Sequence, residues 1–529
     1  MANKDRSMMA TCTSDRTKLL FADFHCDHPL DSEIVHEINE LNKLMRDNDD
    51  DYEIFRHRAQ TDVLWRLLIE KAIKCLRYYD DREPFMNSEG KKTPKAYGID
   101  QLKKYYDKYS EFERILYGSN QYYRDHVIHV FRTWLSGVEL LTKNEGVYLD
   151  HITLHEKGNT INLNRVEKLS VWTLIALTHD LGYPLQKAKS IIDTTRSMVS
   201  TFITNPDISI DFSFHGVQNY MNDFIVRLMS SKMKKRGEDE NGKPVYVARL
   251  QPKYYFKFQK SLERNDHGIL SILIIYKLLT YFLESDYNIN EDYTFDNEEC
   301  RQFYIRREIL RAIAAHTCDD VYQLYMTSFS FLLRICDDTQ EWGRKNISEL
   351  YVKSSQEYKI EDIDLYIDPN VNLYIEPNVD ANGKEPRRTI EHRCTIKEEI
   401  SLTDETDAVV KLIERFREQS LIYVTIFRDG QDTVLRDFSF ERRVMIKYND
   451  ISITLTLQIA KDNASALTGE IKYTSTGTVN DAIGKKFFSS VKHLDPIAGW
   501  EVFGTDENNA DKTRPATWRR GKFAIALSS

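Results

Sequence analysis

Two regimes of hydrophobic spacing divide this chain, and the switch between them limits the folds open to it. From about Gln101 to Arg344 apolar residues recur every three or four positions, the repeat of helices that each bury one face. The spacing predicts helices over Tyr105–Leu116, Tyr122–Leu141, Val166–Leu181, Pro184–Ile203, Phe214–Met229, Gly268–Leu283, Ile305–His316 and Leu324–Glu341. Upstream, Ser32–Arg46 and Thr61–Tyr79 show the same repeat. Asp80–Lys95, broken by Pro84, Gly90 and Pro94, reads as a loop, and the first 25 or so residues lack periodicity and read as loose.

Beyond Gly343 the period changes. Pro369, Pro377, Gly383 and Pro386 punctuate a polar connector. Leu421–Phe427, Arg442–Tyr448 and Ile451–Ile459 then alternate apolar and polar residues as strands do, with Asn449-Asp450 placed to turn a hairpin. Asp407–Gln419 has the spacing of an amphipathic helix. The expected architecture is mainly α: an N-terminal helical region (1–100), a helical domain (101–345), a connector (346–389) and a smaller C-terminal α+β domain (390–529).

Composition removes several function classes. Hydrophobic residues are 41% of the chain and aromatics 12%, which is too much core material for a disordered protein. The charge, 73 − 82 = −9, argues against a dedicated nucleic-acid-coating protein. Seven scattered cysteines without a C-x-x-C pair speak against a disulfide framework or a zinc ribbon and fit a reducing compartment. Gly268–Leu283, the most apolar stretch, carries Lys277 and falls short of the roughly 20 residues of a bilayer span. With no apolar leader at the N-terminus, a soluble, cytoplasmic protein without membrane contact is expected. One basic segment interrupts the helical region. Ser230–Lys260 holds nine Lys or Arg residues and reads as a solvated insertion, or as a flap over an anionic ligand.

The helical region also carries an ordered series of His and Asp residues. Asp125-His126-Val127-Ile128-His129 places two histidines on one helix face, and His179-Asp180-Leu181-Gly182 ends an apolar helix. Asp266-His267-Gly268, Ala315-His316 and Cys336-Asp337-Asp338 follow, each at or near a predicted helix end. A carboxylate set against a core-facing helix end is costly unless a cation or donor meets it. Imidazole nitrogens with carboxylate oxygens form a donor set suited to Mn, Fe, Co, Ni or Zn.

This pattern resembles the HD-domain superfamily of metal-dependent phosphohydrolases over roughly residues 120–345, and within it the branch that holds two metals. The resemblance implies an HD-type helical bundle. It also implies that His129 or His126 binds one metal with His179 and Asp337, that His267 and His316 bind the second, and that Asp180 bridges. The implied reaction is attack of a metal-activated hydroxide on a phosphoester, with a small nucleotide-like molecule as substrate. Lys187 and Lys189, after the doublet, and Arg307 and Arg311, before His316, are the candidate cations for developing charge, Lys187 and Arg311 above all. Glu341, one turn past Asp337, is an expected outer partner of that ligand. Tyr183-Pro184 after Gly182 repeats the letters of the HD-GYP subfamily, whose Gly-Tyr-Pro lies well downstream of the doublet, so cyclic di-GMP is not expected. Two alternatives keep the same residues: a diiron oxygenase resembling myo-inositol oxygenase, and a non-catalytic ligand-binding regulator.

Overall fold

The computed structural model describes residues 4–22, 28–45, 53–76, 85–86, 92–93, 99–119, 124–152, 154, 163–204, 217–278, 294–318, 326–344, 356–367, 391–402, positions within 409–423, 437–448, 451–461, 467–476, 501–503 and 522–528. Its helices are α1 (Lys4–Cys12), α2 (Asp15–Leu20), α3 (Ser32–Leu44), α4 (Glu53–Arg56), α5 (Arg58–Leu76), α6 (Ile99–Ser119), α7 (Val127–Thr142), α8 (Val147–His151), α9 (Arg165–Thr178), α10 (Tyr183–Val199), α11 (Val217–Ser230), α12 (Pro252–Glu263), α13 (His267–Leu278), α14 (Asn297–Ala315) and α15 (Phe329–Thr339). The strands are β1 (Phe85–Met86), β2 (Lys92–Thr93), β3 (Ser231–Glu238), β4 (Pro244–Leu250), β5 (Gln356–Ile367), β6 (Glu391–Leu402), β7 (Asp437–Tyr448), β8 (Ile451–Lys461), β9 (Leu467–Thr476), β10 (Glu501–Phe503) and β11 (Lys522–Ser528). Contacts divide the chain into a helical unit (Met1–Glu145, Ile152–Val321, Ser328–Gln340) and a second unit (Gly146–His151, Tyr322–Thr327, Glu341–Ser529). No helix among the described residues is long and apolar enough to cross a membrane.

The helical unit is built around α9. Its sequence is apolar on every side, and Val166 and every residue from Lys168 to Thr178 are buried, as expected of a helix enclosed by others. α5, α7, α14 and α15 pack around it. An Asn164/Glu167 capping box satisfies its first turn, each side chain bonding the other residue's backbone N–H at 2.8 Å. Close approach to α7 depends on Gly137. A Cβ there would lie 2.1 Å from the Trp172 ring, whose Nε1–H donates to Trp134 O at 3.1 Å.

One expectation for this unit needs correction. The N-terminal residues are not loose: α1 buries Met8, Met9 and Cys12. Its buried Asp5 receives two bonds from the Arg132 guanidinium, at 2.9 and 2.7 Å. A helix this short, with a carboxylate on its buried face, leaves no apolar period to read. The basic segment forms the antiparallel hairpin β3–β4 followed by α12, and Lys234, Lys235, Arg236, Lys243 and Arg249 are exposed, as a solvated insertion requires. Lys232 and Lys234 alternate there with the buried Ser231 and Met233. The unit takes in the N-terminal helices together with the middle region and ends at Gln340.

The second unit contains a seven-stranded mixed sheet, ordered β10-β11-β9-β8-β7-β6-β5. β7 and β8 pair antiparallel with Tyr448 opposite Ile451, the register of a two-residue connection. Asn449 and Asp450 themselves lie outside the described residues. Alternation works as expected along β7 and β8, where Phe440, Val444 and Ile446, then Ile453, Leu455, Leu457 and Ile459, are buried. The helix expected over Asp407–Gln419 is present at the described positions, including Val409, Lys411, Leu412, Arg415 and Phe416. Ile422 and Tyr423 are helical as well, so the strand expected at Leu421–Phe427 is overturned at those two positions. Tyr423 stacks on Phe440 at 4.6 Å, a contact that alternation alone does not distinguish from strand pairing. The stretch read as a connector contains β5, paired along its length with β6. Its many charges disguised it.

Candidate metal centre

Five helix ends bring the His/Asp series together within the helical unit. His129 lies in the first turn of α7, His179 caps α9, His267 begins α13, His316 caps α14 and Asp337 lies in the last turn of α15. Two overlapping sets of ligand atoms converge closely enough to hold a metal ion: His129, His179 and Asp337, and His179, Asp180 and His316. His267 adjoins the second, its Nε2 3.2 Å from His316 Nε2 and 3.3 Å from Asp180 Oδ1.

Asp180 lies between the two sets. Its Oδ1 faces His267 at 3.3 Å and His316 at 3.5 Å, while its Oδ2 faces His179 at 3.4 Å and His129 at 3.7 Å. Asp337 Oδ1 lies 2.9 Å from His129 Nε2 and 3.7 Å from His179 Nε2.

Each imidazole is fixed in the same sense. Nδ1 of His129 meets Gln340 Oε1, that of His179 meets Ala176 O at 2.8 Å, that of His267 meets Gln186 Oε1 at 2.7 Å, and that of His316 meets Ile313 O. A carbonyl can only accept, so Nδ1 carries the hydrogen in all four rings. Four Nε2 lone pairs therefore point at carboxylate oxygens, acceptor against acceptor, and His179 Nε2 is buried without a hydrogen-bond partner. Such an arrangement needs positive charge at its centre.

Without a metal, protons supply that charge. Burial draws the His179 pKa down, but Asp180 and Asp337 outweigh it and push it up to about 9. Burial opposes ionisation of Asp180 and Asp337, yet the surrounding imidazoles hold both well below the usual carboxylate range. The same burial keeps His316 below the ordinary histidine value. A divalent ion entering below pH 9 must displace the His179 proton. Affinity for Mn²⁺, titrated at pH 6, 7 and 8, is therefore expected to rise with pH by up to about tenfold per unit for each proton displaced.

The turn carrying the doublet is locked from three sides. Trp65 Nε1–H donates to Leu177 O at 2.8 Å, Tyr105 Oη–H to Leu181 O at 2.8 Å, and Ser271 Oγ–H to His179 O at 2.6 Å. The Trp65 and Ser271 donors satisfy carbonyls that the end of α9 leaves open, and Tyr105 holds the turn beyond it. Ser271 Oγ also accepts from Gly182 N at 2.7 Å. Gly182 is required by this approach, since a Cβ there would lie 2.4 Å from His267 O and 2.6 Å from Ser271 N. Gly268 is confined in the same way by Thr317 Oγ1 and Ile313 O, at 2.5 and 2.7 Å. The glycines after His-Asp and after His267 are thus explained by the fit of α13 against its neighbours.

Of the two histidines on α7, His129 joins the cluster. His126 Nδ1 lies 3.3 Å from Glu113 Oε1, and its ring stacks on Tyr183 at 3.9 Å. Of the two terminal aspartates, Asp337 joins, while Asp338 pairs with Arg334 at 2.7 Å. Glu341, the expected outer partner, pairs instead with Arg415, and Gln340 holds His129. Lys187 Nζ lies 5.1 Å above the Tyr183 ring, which makes a T-shaped contact with His267. Arg311 is directed elsewhere: it donates to Met229 O at 3.1 Å and lies over Tyr254. Arg307 is fully buried against Tyr304 and Ser231 O. The cationic role expected for this helix row is not supported by its packing. The Lys189 side chain and His215 lie outside the described residues.

The outer partners Gln186, Ser271, Gln340, Trp65 and Tyr105 carried no sequence signal beyond their distance from a ligand: Ser271 is four residues past His267, and Gln340 three past Asp337. Comparison found no matching family model, no matching curated protein and no matching solved structure.

Proposed function

We propose that this chain is an HD-type, metal-dependent phosphohydrolase that cleaves a nucleotide-like phosphoester. The observation that supports it best is the inward set of four imidazole Nε2 atoms against two ionised carboxylates, every Nδ1 being tied outward. His129, His179 and Asp337 would hold one divalent ion and His267 and His316 a second, with one oxygen of Asp180 directed to each. Such ions polarise a phosphoryl oxygen and bring a water to ionise near neutral pH.

The chain's own residues do the rest. Asp180 and Asp337 stay ionised at working pH because the imidazoles hold them so. Gln340, Gln186 and the carbonyls of Ala176 and Ile313 keep each ring from turning. Lys187, in the first turns of α10, offers its ammonium to a phosphoryl oxygen at the edge marked by Tyr183.

The test is hydrolysis of bis(4-nitrophenyl) phosphate by protein treated with chelator and then given Mn²⁺, Co²⁺ or Ni²⁺. Turnover absent after chelation and restored by metal is expected. No turnover of this or simple monoesters with any metal, together with oxygen uptake by iron-loaded protein, would replace the hydrolase reading with the oxygenase one.

A further inference from the structure

The cluster is not evenly enclosed. His129 and His179 side chains are 0% exposed and that of Asp180 6%, whereas those of His267 and Asp337 are each 20% exposed. Access to the donor atoms is therefore from the side of His267 and Asp337.

On the His267 side lies a shallow groove of about 810 Å³, wide open to solvent. Its near end is formed by two residues bound to the cluster's surroundings. Gln186 holds His267 Nδ1 at 2.7 Å, and Arg264 pairs at 2.9 Å with Asp266, the residue before His267. From there the groove follows one face of α10 and the turn after it, through Asp193, Thr194, Ser197 and Thr201. These positions recur at three- and four-residue intervals, so they form one stripe. From Gln186 to Thr201 a helical rise of 1.5 Å per residue gives roughly 22 Å.

The lining has a definite chemistry. Three hydroxyls can donate or accept hydrogen bonds and one carboxylate can accept them, and Arg264 is the cation among the described lining residues. Met198, 62% exposed, adds an apolar surface toward the far end. A polyanion would need several cations along such a path. A sugar bearing hydroxyls, joined to a flat, partly apolar ring, suits hydroxyls, carboxylate and thioether better.

Building on the phosphohydrolase reading, we infer that the α10 groove is the binding site for the organic group of the substrate, a nucleoside, whose phosphate reaches the cluster past His267. Gln186 then links the two sites, with its carbonyl on the ligand His267 and its side chain forming the groove's inner end. Ser197 and Thr194 are specificity residues, remote from the reacting atoms.

The test is calorimetric titration of Mn²⁺-loaded protein with thymidine 5′-monophosphate and, separately, inorganic phosphate. Wild type is expected to bind the nucleotide at least about tenfold more tightly than phosphate, the ratio that one set of groove contacts of about 1.4 kcal/mol provides. Ser197→Trp fills the groove from an exposed helix position and should bring the nucleotide down to the level of phosphate. Bound manganese and phosphate affinity should be unchanged, and Thr194→Trp should act in the same way. Equal binding of nucleotide and phosphate by wild type, or an unaltered ratio in both variants, would overturn the groove assignment. The phosphate titration separates the two readings: nucleotide binding lost in the variants but no phosphate binding would keep the groove and remove the phosphoester chemistry.

Discussion

Asp180→Ala is expected to abolish metal-dependent hydrolysis, by more than the roughly 10–100-fold that outer partners of metal ligands carry. Asp180 is the one carboxylate that faces all four imidazoles, two from each oxygen. Removing it takes a donor from both ligand sets at once and takes from His179 its main neighbouring negative charge. Gln340→Ala, which frees only the His129 ring, should fall within the range of about 10–100-fold. Rates on bis(4-nitrophenyl) phosphate at saturating Mn²⁺ measure both variants. Equal losses in the two, or an Asp180→Ala enzyme within tenfold of wild type, would show that the carboxylate does not hold the metals together.

The second large effect lies under α7. Arg58 is half-buried between two buried carboxylates, donating to Asp125 Oδ2 at 2.6 Å and Glu113 Oε2 at 2.7 Å. Those carboxylates in turn accept the open N–H groups at the start of α7: Glu113 those of His126 and Val127, Asp125 that of Ile128 at 2.6 Å. The network sets the helix end that presents His129. Arg58→Met should cost about 3–5 kcal/mol, because two buried acids then face each other without a cation. Burial already pushes both carboxyls above their ordinary pKa. A raised folded-state pKa means that protonation favours the folded form, so the deficit should shrink as pH falls from 7 toward 4. Urea unfolding at both pH values measures this, with Arg58→Met/Glu113→Gln expected to regain part of the loss. A deficit below 1 kcal/mol at pH 7, or one that grows in acid, would contradict the account.

The His/Asp series was legible because groups that could hold a metal are of few residue types, and those types stood at the ends of periodic helices. His179-Asp180 and His316 could be placed from sequence because α9 and α14 are apolar enough to be recognised. Finer choices turned on packing. His126 and His129 share a face, and Glu113 on α6 and the Tyr183 ring together hold His126 away. Gln340 and Glu341 are neighbours, and the end of α15 decides which meets His129. Arg311 seemed as well placed as Lys187, yet Met229 and Tyr254 take up its side chain. The strand β5 was hidden by its charges: Glu357, Lys359, Glu361, Asp362 and Asp364 give a polar composition, although Ile360 and Leu365 are buried. Position in a sheet, unlike amphipathic helix spacing, depends on a partner strand, here 25 to 46 residues away.

Elemental analysis of protein purified with neither added metal nor chelator, wild type beside Asp180→Ala, tests the central claim most directly. About two transition-metal ions per chain in wild type, lost from the variant, is the predicted result. No metal in either protein, and none taken up on reconstitution with Mn²⁺, Fe²⁺, Co²⁺, Ni²⁺ or Zn²⁺, would contradict it.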